Sequence, residues 1–244
     1  MRTARTTFFV VLGCLLFTAP ALPSRAQVKP EAATQQSKLP FEADILAYEA
    51  SDQKSPPPKG GVLFIGSSSI RLWSTLKEDF PELPVLNRGF GGSIIADSVR
   101  YIPRIVLPYQ PRMIVMYAGG NDIARKLTPE QVRKDFEAFV AGVHATLPNT
   151  RIVYVSINPS VSRWSQEERV LEANRQIAEY IRDQSAKGVK LSYLDSHSKL
   201  LSSDGMPRPE ILRKDGLHLN SDGYVLWRSV LKPQILELWA KDKQ

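Results

Sequence analysis

A run of three serines follows the first strongly apolar segment of the chain and could supply a nucleophile. Residues 61–65 are apolar without interruption, which is typical of a strand buried on both faces, and Gly66 then permits a sharp turn. Residues 67–69 are all serine, and an amphipathic pattern begins at Ile70. The unpaired N–H groups and positive end of a helix that begins here would stabilise negative charge on a nearby oxygen. Such a position suits a serine that attacks an ester carbonyl, although serine is also a favoured helix N-cap.

Polar or glycine-rich residues also follow the later apolar runs, which lie at 85–87, 113–118, 152–157 and 191–194. Where parallel strands form a sheet, their carboxyl ends meet along one edge, so the residues that follow them lie near one another. The segments are Asn-Arg-Gly-Phe-Gly-Gly-Ser at 87–93, Gly-Gly-Asn-Asp at 119–122, Asn-Pro-Ser-Val-Ser-Arg-Trp at 158–164 and Asp-Gly-Leu-His-Leu-Asn at 215–220.

Together these segments contain the groups that acyl transfer needs. The serines offer a hydroxyl nucleophile, the glycines at 89–92 offer backbone N–H donors, and Asn121 offers a carboxamide N–H. Asp215 and His218 offer a base and a carboxylate that orients it. Each group alone has a structural explanation, since glycines make tight turns, Asn121 could cap a helix and the Asp-x-x-His spacing is common. The coincidence of all four at strand ends favours the catalytic interpretation.

The alternation of strands and helices predicts an α/β fold with a five-stranded parallel sheet. Helical periodicity covers about 70–79, 94–107, 129–147, 166–186 and 222–240. Strands separated by helices of this length form a parallel sheet with right-handed crossovers and helices on both faces. A further helix-period segment at 41–48 precedes a proline-rich breaker at 55–61, and we expect this helix to pack outside the core.

In these blocks the chain resembles the SGNH, or GDSL-type, serine esterases and acylhydrolases. The resemblance implies a flavodoxin-like three-layer sandwich. The family's Gly-Asp-Ser-Leu block is matched by Gly-Ser-Ser-Ser, which implies Ser68 as the nucleophile. The second and third blocks imply Gly92 and Asn121 as oxyanion-hole donors, together with the N–H of Ser68. The fourth block is matched in full by Asp215 and His218, which would complete a Ser-His-Asp triad.

The resemblance extends from about residue 61 to the last helix and departs from the family pattern in the first block. Ser67 stands where the family usually has Asp, and Ser69 stands where it often has Leu. The usual Asp is not a member of the triad, so its replacement need not abolish the chemistry. The choice of Ser68 among three adjacent serines then depends on register alone.

The implied mechanism is acyl transfer without a metal or a cofactor. His218 would take the proton of Ser68 as it attacks the carbonyl, and Asp215 would fix the imidazole tautomer. Water would then hydrolyse the acyl-enzyme, with His218 again acting as the base. The sequence has no His, Cys and carboxylate cluster with metal-ligand spacing, so we expect neither a metal site nor a cofactor.

The two other histidines have weaker cases as catalytic bases. His144 lies in a helix-period stretch between Val143 and Ala145, and we interpret it as structural. His197 follows Asp195 at the end of the fifth predicted strand and is the rival base. The sequence Asp-Ser-His at this point does not match the family block, so His218 is preferred.

The N-terminus has the order of a secretory signal peptide. Arg2 and Arg5 precede an apolar run at 8–17, and the small residues of Ser-Arg-Ala at 24–26 precede a cleavage point before Gln27. We therefore predict a leader at 1–26, a tether with an N-terminal helix at 27–60 and the hydrolase domain at 61–244. A secreted or periplasmic location follows. The alternative is a lipid-modified Cys14, although the apolar run continues beyond this residue.

Composition bounds the partners of the predicted mature chain. Removal of the leader with its three arginines lowers the formal charge from +7 to +4, and the remaining basic residues form no clustered stripe. We therefore expect no nucleic-acid partner. No segment after the leader is apolar for long enough to span a bilayer, so no stable membrane insertion is expected. The one cysteine, Cys14, lies in the leader, so the mature chain would have no disulfide.

The substrate is the least determined part of the prediction. The longest connections at the active edge, 158–168 and 202–214, are polar, which favours a short acyl group, acetyl most of all, on a glycan or another polar alcohol. Arg163 and Trp164 would then line a rim, where the indole offers an apolar face to a sugar ring; alternatively, Trp164 packs under its own loop. Competing functions are a longer-chain acylhydrolase or thioesterase, and a catalytically silent binding module with the same fold.

Overall fold

Five parallel strands form one sheet within residues 39–242, the part of the chain that the computed structural model describes. The strands pair in the order β2-β1-β3-β4-β5, and all four pairings are parallel. This confirms the predicted α/β fold with a five-stranded parallel sheet. The bounds are β1 Val62–Gly66, β2 Val85–Gly89, β3 Met113–Tyr117, β4 Arg151–Val155 and β5 Leu191–Leu194.

The alternation of side chains along each strand divides the core into two clusters, one on each face of the sheet. Leu63 and Ile65 of β1 belong to one cluster, whereas Val62 and Phe64 belong to the other. All four side chains are at most 1% exposed. The uninterrupted apolar run of β1 is explained by this burial on both faces, which places the strand inside the sheet.

Helices cover both faces of the sheet and provide the remaining core residues. Among the described helices, none combines the length and the apolar character needed to cross a membrane. Short 3₁₀ turns lie at Leu107–Tyr109, Val161–Gln166 and Pro209–Ile211. The α-helices are α1 Glu42–Lys54, α2 Ser68–Arg71, α3 Leu76–Asp79, α4 Ile95–Arg100, α5 Ile102–Ile105, α6 Gly120–Ala124, α7 Pro129–His144, α8 Glu167–Ser185 and α9 Ser221–Lys241.

Two of the predicted helices are each divided in two. The predicted helix at 70–79 breaks after α2 because Trp73 turns into the core, where it is 2% exposed and its indole N–H donates to Asp79 at 2.6 Å. The predicted helix at 94–107 breaks between α4 and α5. Pro103 has no N–H for the helical ladder and lies instead in the first turn of α5. The short helix α6 was not predicted.

The expectation that the N-terminal helix packs outside the core is wrong. Ile45 of α1 is fully buried in the larger core cluster. Arg104 holds the outer side of the helix, with two hydrogen bonds of 2.6 Å to Glu49 and one of 2.6 Å to Glu42. The helix is therefore an integral part of the fold. The predicted leader at 1–26, and the predicted tether up to residue 38, lie outside the described residues.

Candidate active site

The sharp turn after β1 places Ser68 at the start of α2. Gly66 has a φ of +135°, and a Cβ there would lie 1.9 Å from the carbonyl oxygen of Tyr117, so only glycine fits. The N–H of Ser67 then donates to that same carbonyl at 3.0 Å. Ser67 and Ser69 are buried, whereas Ser68 is partly exposed. The turn thus presents one of the three serines to solvent.

Close backbone packing holds α2 against the end of β2. A Cβ on Gly89 would lie 2.3 Å from the backbone nitrogen of Arg71, so the helix can approach the strand only because this residue is glycine. The carboxamide of Asn87 donates to the carbonyl of Ile70 at 2.6 Å. From the other side, the hydroxyl of Tyr224 in α9 donates to the carbonyl of Ser69 at 2.8 Å. These contacts fix the position of Ser68.

Ser68, His218 and Asp215 form a continuous hydrogen-bonded chain. His218 Nε2 lies 2.9 Å from Ser68 Oγ, and His218 Nδ1 lies 2.7 Å from Asp215 Oδ2. An ionised carboxylate can only accept, so Nδ1 carries the proton that faces it and Nε2 is left to accept from the hydroxyl of Ser68. Ser68 lies in the first sequence block and Asp215 and His218 lie in the fourth, and the structure brings all three together.

The loop that carries the pair is folded around the carboxylate of Asp215. Its Oδ1 accepts from the backbone N–H groups of Leu217 at 2.9 Å and of His218 at 3.0 Å. The hydrogen bond from the His218 ring, reinforced by these two backbone N–H groups, holds the pKa of the Asp215 carboxyl well below its usual range. Asp215 therefore remains a hydrogen-bond acceptor at neutral and mildly acidic pH.

Three donors line the cleft beside Ser68 Oγ. Within residues 39–242, the backbone N–H groups of Ser68 and Gly92 donate to no protein acceptor. Gly92 has a φ of +83°, which favours glycine. One hydrogen of the Asn121 carboxamide goes to the carbonyl of Ser93 at 3.0 Å, which leaves the second free. The predicted donors Ser68, Gly92 and Asn121 thus lie together around one cavity, and a developing oxyanion there could accept from all three.

Asp122, next to Asn121, connects α6 to the start of α4. Its side chain is fully buried and accepts from the N–H of Ile95 at 3.0 Å. Burial raises the pKa of this carboxyl to about 6, against which the hydrogen bond from Ile95 acts only in part. Asp122 has no contact with Ser68 or His218 in this arrangement, and its role is to position α6 against α4.

The cleft has two lobes that share Ser68, Asn121, Arg163, Leu217 and His218. The enclosed lobe has a cavity volume of about 40 Å³ and is closed by side chains of β3, α8 and the loop after β4, namely Tyr117, Ile157, Asn158, Gln166, Glu167 and Val170. The open lobe has a volume of about 350 Å³ and is bounded by Arg71, Leu72, Gly91 and Gly92. Ser68 thus stands between a small space and a much larger one.

Of the two predicted rim residues, the structure brings only Arg163 into the site. Arg163 lines both lobes, and its Nη2 donates to Asn121 Oδ1 at 3.0 Å. Burial lowers the pKa of its guanidinium. Trp164 is half-buried and lines neither lobe. The two residues are neighbours in a 3₁₀ turn, where consecutive side chains point in different directions, so they do not share the cleft.

The other histidines have different surroundings. His144 Nε2 lies 2.8 Å from the carbonyl oxygen of Thr150, at the end of α7. His197, the rival base, is buried, and its Nε2 lies 2.7 Å from Glu167 Oε1, although not at a hydrogen-bonding angle. Over the described range, no serine hydroxyl contacts the His197 ring. No group of three or more His, Cys, Asp or Glu side chains in that range is placed to hold a metal ion.

The sequence did not reveal two residues of the site and one of its contacts. Arg71 and Glu167 line the two lobes, and neither belongs to a recognisable motif. Glu167 begins α8, and its proximity to His197 depends on packing between segments 30 residues apart. The bond between Arg163 and Asn121 spans 42 residues. No local pattern could indicate such contacts, although the arginine itself followed a predicted strand.

The chain is similar to known lipases and acylhydrolases. The profile of the GDSL-like Lipase/Acylhydrolase family matches residues 66–226. Platelet-activating factor acetylhydrolase IB subunit alpha1 of Rattus norvegicus is 29% identical over 197 residues, covering 79% of this chain and 82% of that protein.

Two solved structures share the fold at low sequence identity. A GDSL-like lipase from Bacteroides thetaiotaomicron has a TM-score of 0.65 and 18% identity, covering 80% of this chain and 98% of that chain. An acetylxylan esterase from Geobacillus stearothermophilus, solved as a catalytic mutant, has a TM-score of 0.56 and 15% identity, covering 71% of this chain and 93% of that chain.

Proposed function

Because the chain belongs to the GDSL-like lipase/acylhydrolase family and is an ester hydrolase, we propose that it cleaves carboxylic esters through Ser68, His218 and Asp215. The observation that carries this proposal is the hydrogen-bonded chain from Asp215 Oδ2 through the imidazole to Ser68 Oγ, with distances of 2.7 and 2.9 Å. A nucleophile, a base and a group that orients the base are thus in contact without rearrangement.

The proposed reaction proceeds through an acyl-enzyme. Ser68 Oγ attacks the carbonyl carbon while its proton passes to His218 Nε2, and the carbonyl oxygen becomes an oxyanion bound by the N–H groups of Ser68, Gly92 and Asn121. The tetrahedral adduct collapses and expels the alcohol, which takes the proton from Nε2. Water then attacks the acyl-enzyme and gives a proton to Nε2, and that proton returns to Ser68 as the acid departs. Asp215 remains ionised throughout.

The test of this proposal uses the three adjacent serines as their own controls. A fluorophosphonate should label Ser68 alone, and Ser68→Ala should lower kcat by on the order of 10³-fold or more. Ser67→Ala and Ser69→Ala should retain the label and most of the activity. An unlabelled, inactive Ser67→Ala or Ser69→Ala beside an active Ser68→Ala would show that the nucleophile is a different serine.

We propose that the acyl group is short, acetyl most of all, and enters the enclosed lobe. The enclosed lobe, with about 40 Å³, is much smaller than the open lobe, with about 350 Å³, so it favours a short acyl group over a long chain. Ile157 and Val170 offer apolar walls for a methyl group, whereas Gln166 and Glu167 offer polar atoms that disfavour a longer alkyl chain. The acetyl substrates named for the rat relative and the Geobacillus enzyme support the same assignment.

The alcohol would then occupy the open lobe. Its volume of about 350 Å³ has room for a sugar ring, and Arg71 offers donors to hydroxyl groups. A second candidate function is favoured by Leu72 and Leu217, which also line this lobe. If the acyl group entered here instead, the protein would hydrolyse longer acyl esters or thioesters.

A panel of nitrophenyl esters separates the two candidates. For the acetylesterase, kcat/KM should fall steeply as the acyl chain grows from two carbons towards eight. Enlarging the enclosed lobe with Val170→Ala should relax this fall, whereas Leu72→Ala in the open lobe should not. A preference for chains of about eight carbons, reduced by Leu72→Ala, would establish the longer-chain activity. Release of acetate from acetylated glycans would then test the alcohol.

We further propose that the protein is exported and cleaved after Ala26. The support is the order of basic, apolar and small residues in 1–26. N-terminal sequencing of protein recovered from the periplasm or the medium should give Gln27 as the first residue. Recovery of the protein from the membrane fraction with an acylated Cys14 would contradict this proposal.

A further inference from the structure

We propose that Arg163 is a positioning residue that orients the carboxamide of Asn121 for oxyanion binding, rather than a residue of the substrate rim. The inference rests on the proposed ester hydrolysis and extends it to a residue outside the triad and outside the three oxyanion donors. The contact that supports it is the hydrogen bond of 3.0 Å from Arg163 Nη2 to Asn121 Oδ1.

The two partners of Asn121 together allow one orientation of its carboxamide. A guanidinium can only donate, so the atom facing Arg163 must be the oxygen. The carbonyl of Ser93 can only accept, so the atom facing it at 3.0 Å must be the nitrogen. With the oxygen held by Arg163 and one N–H held by Ser93, the remaining N–H is the one available to an oxyanion. Loss of Arg163 would leave only one of the two restraints.

The guanidinium of Arg163 is available to Asn121 because no neighbouring carboxylate within residues 39–242 pairs with its charge. Within residues 39–242, no carboxylate lies within salt-bridge distance of its guanidinium, and burial lowers its pKa. Glu167, one helical turn away, is next to His197 instead. A hydrogen bond from a cation also polarises the carboxamide and makes its N–H a better donor. The effect would increase as negative charge develops on the substrate oxygen.

The backbone of α6 leaves space for this approach. A Cβ on Gly120 would lie 3.4 Å from Arg163 Nη1, so the guanidinium packs directly over a residue that has no side chain. Asn121 is the next residue in α6, and its Oδ1 lies within hydrogen-bond distance of the same guanidinium. The arginine thus reaches Asn121 from the wall common to both lobes.

Arg100 provides a control arginine outside the cleft, because it lines neither lobe. Its guanidinium lies 3.0 Å from Asp97, and its side chain is 45% exposed. We would measure kcat and KM for a nitrophenyl acetate with Arg163→Met, Arg163→Lys and Arg100→Met, each alone and combined with Asn121→Ala. Asn121→Ala should itself lower kcat by roughly 10²-fold. Thermal unfolding of each variant would show that it is folded.

Arg163→Met should lower kcat by roughly 10- to 30-fold with little change in KM, the signature of an interaction used in the transition state. In the Asn121→Ala background the same change should cost less than about 2-fold, because a residue that acts through Asn121 has nothing left to orient. Arg163→Lys should recover part of the loss, and so should added guanidinium ion. Arg100→Met should keep kcat and combine additively with Asn121→Ala.

Two results would overturn the inference while leaving the proposed function intact. One is a rise in KM at unchanged kcat for Arg163→Met, which would make the residue a substrate ligand. The other is a full loss of kcat that persists in the Asn121→Ala background, which would mean that Arg163 acts independently of the carboxamide. Failure of the proposed function would be distinct, since the wild type would then lack esterase activity or Ser68→Ala would keep it.

Discussion

Two histidine–carboxylate pairs lie in the same protein at the same separation and have different surroundings. His218 and Asp215 are 2.7 Å apart, and so are His197 and Glu167. The side chains of the first pair are 24% and 47% exposed, whereas those of the second are 6% and 15% exposed. Only the first imidazole touches a serine hydroxyl. A histidine next to a carboxylate is therefore not by itself a catalytic arrangement.

The ring nitrogen that faces the carboxylate decides what the rest of the ring can do. In His218 the carboxylate takes Nδ1, so Nε2, the outermost atom of the ring, is left for Ser68. In His197 it is Nε2 that faces Glu167. The remaining nitrogen, Nδ1, is then the ring nitrogen nearer its own backbone, in a side chain that is only 6% exposed. The backbone of His197 is held by Ser156, whose hydroxyl accepts its N–H at 2.9 Å.

The largest expected effect is the difference in kcat/KM between the two histidine variants. His218→Ala should lower kcat/KM by roughly 10⁴- to 10⁶-fold, because the base that activates Ser68 is lost. His197→Ala should keep kcat/KM within about 3-fold, because its ring touches no reacting group. Steady-state kinetics of both purified variants with one short ester provides the measurement. Comparable losses in the two variants would remove the distinction between the pairs.

Removing the charge of the two carboxylates, Asp215 and Glu167, should affect kcat in the same order as removing the two histidines, but by a smaller factor. Asp215→Asn should lower kcat by roughly 10²- to 10⁴-fold, because a carboxamide can present a donor to Nδ1 and favour the wrong tautomer. The fold should persist, since the side-chain oxygen can still accept from the N–H groups of Leu217 and His218. Glu167→Gln is the isosteric control and should change kcat by less than about 3-fold. If Glu167→Gln were the more damaging change, Glu167 would belong to the reaction.

The free energy of unfolding should show the reverse order, with His197→Ala more destabilising than His218→Ala. His197→Ala should lower the free energy of unfolding by about 2–3 kcal/mol, because it opens a cavity and leaves Glu167 without a partner. His218→Ala, at a partly exposed site, should change it by less than about 0.5 kcal/mol. Urea unfolding followed by circular dichroism would measure both. A stable His197→Ala protein would mean that the buried pair contributes nothing to the fold.

The smallest expected effect is in the pH profile. Because the pKa of Asp215 is lowered, this carboxyl gains its proton only below the usual carboxyl range, and the activity that depends on its charge is lost only there. Over about pH 4 to 8, kcat/KM should therefore show no inflection that depends on Asp215. Glu167→Gln should leave the pH profile unchanged. An inflection in this range that disappears in Asp215→Asn would contradict the lowered pKa.

The sequence could predict the sheet because each strand carries its own signal. A strand buried on both faces must be apolar throughout, so β1 and β3 were located within a residue or two from their composition. The helices over 70–79 and 94–107 were less well predicted. Pro103 was a visible signal for the second break, whereas the turn of Trp73 into the core depends on Phe64 and Trp227, which no local pattern reveals.

The site was predictable to the extent that its residues follow strands. Ser68, Asn121 and His218 each lie at or near the carboxyl edge, so strand order and motif were sufficient to bring them together. Arg163 was found for the same reason, but its partner was not, because a side-chain hydrogen bond depends on the distance between two loops. Trp164 was expected beside it in the cleft, and the direction of neighbouring side chains in the 3₁₀ turn accounts for the difference.

The separation of Ser68 and His218 by 150 residues has a consequence for how the protein is made. The chain is synthesised from its N-terminus, so the serine, the glycine loop and the asparagine are complete long before the histidine exists. On the proposed mechanism, a nascent chain holds a folded but inert nucleophile until residue 218 and the α9 helix behind it have left the ribosome. Translation order alone would therefore keep the chain inactive until its synthesis is nearly complete.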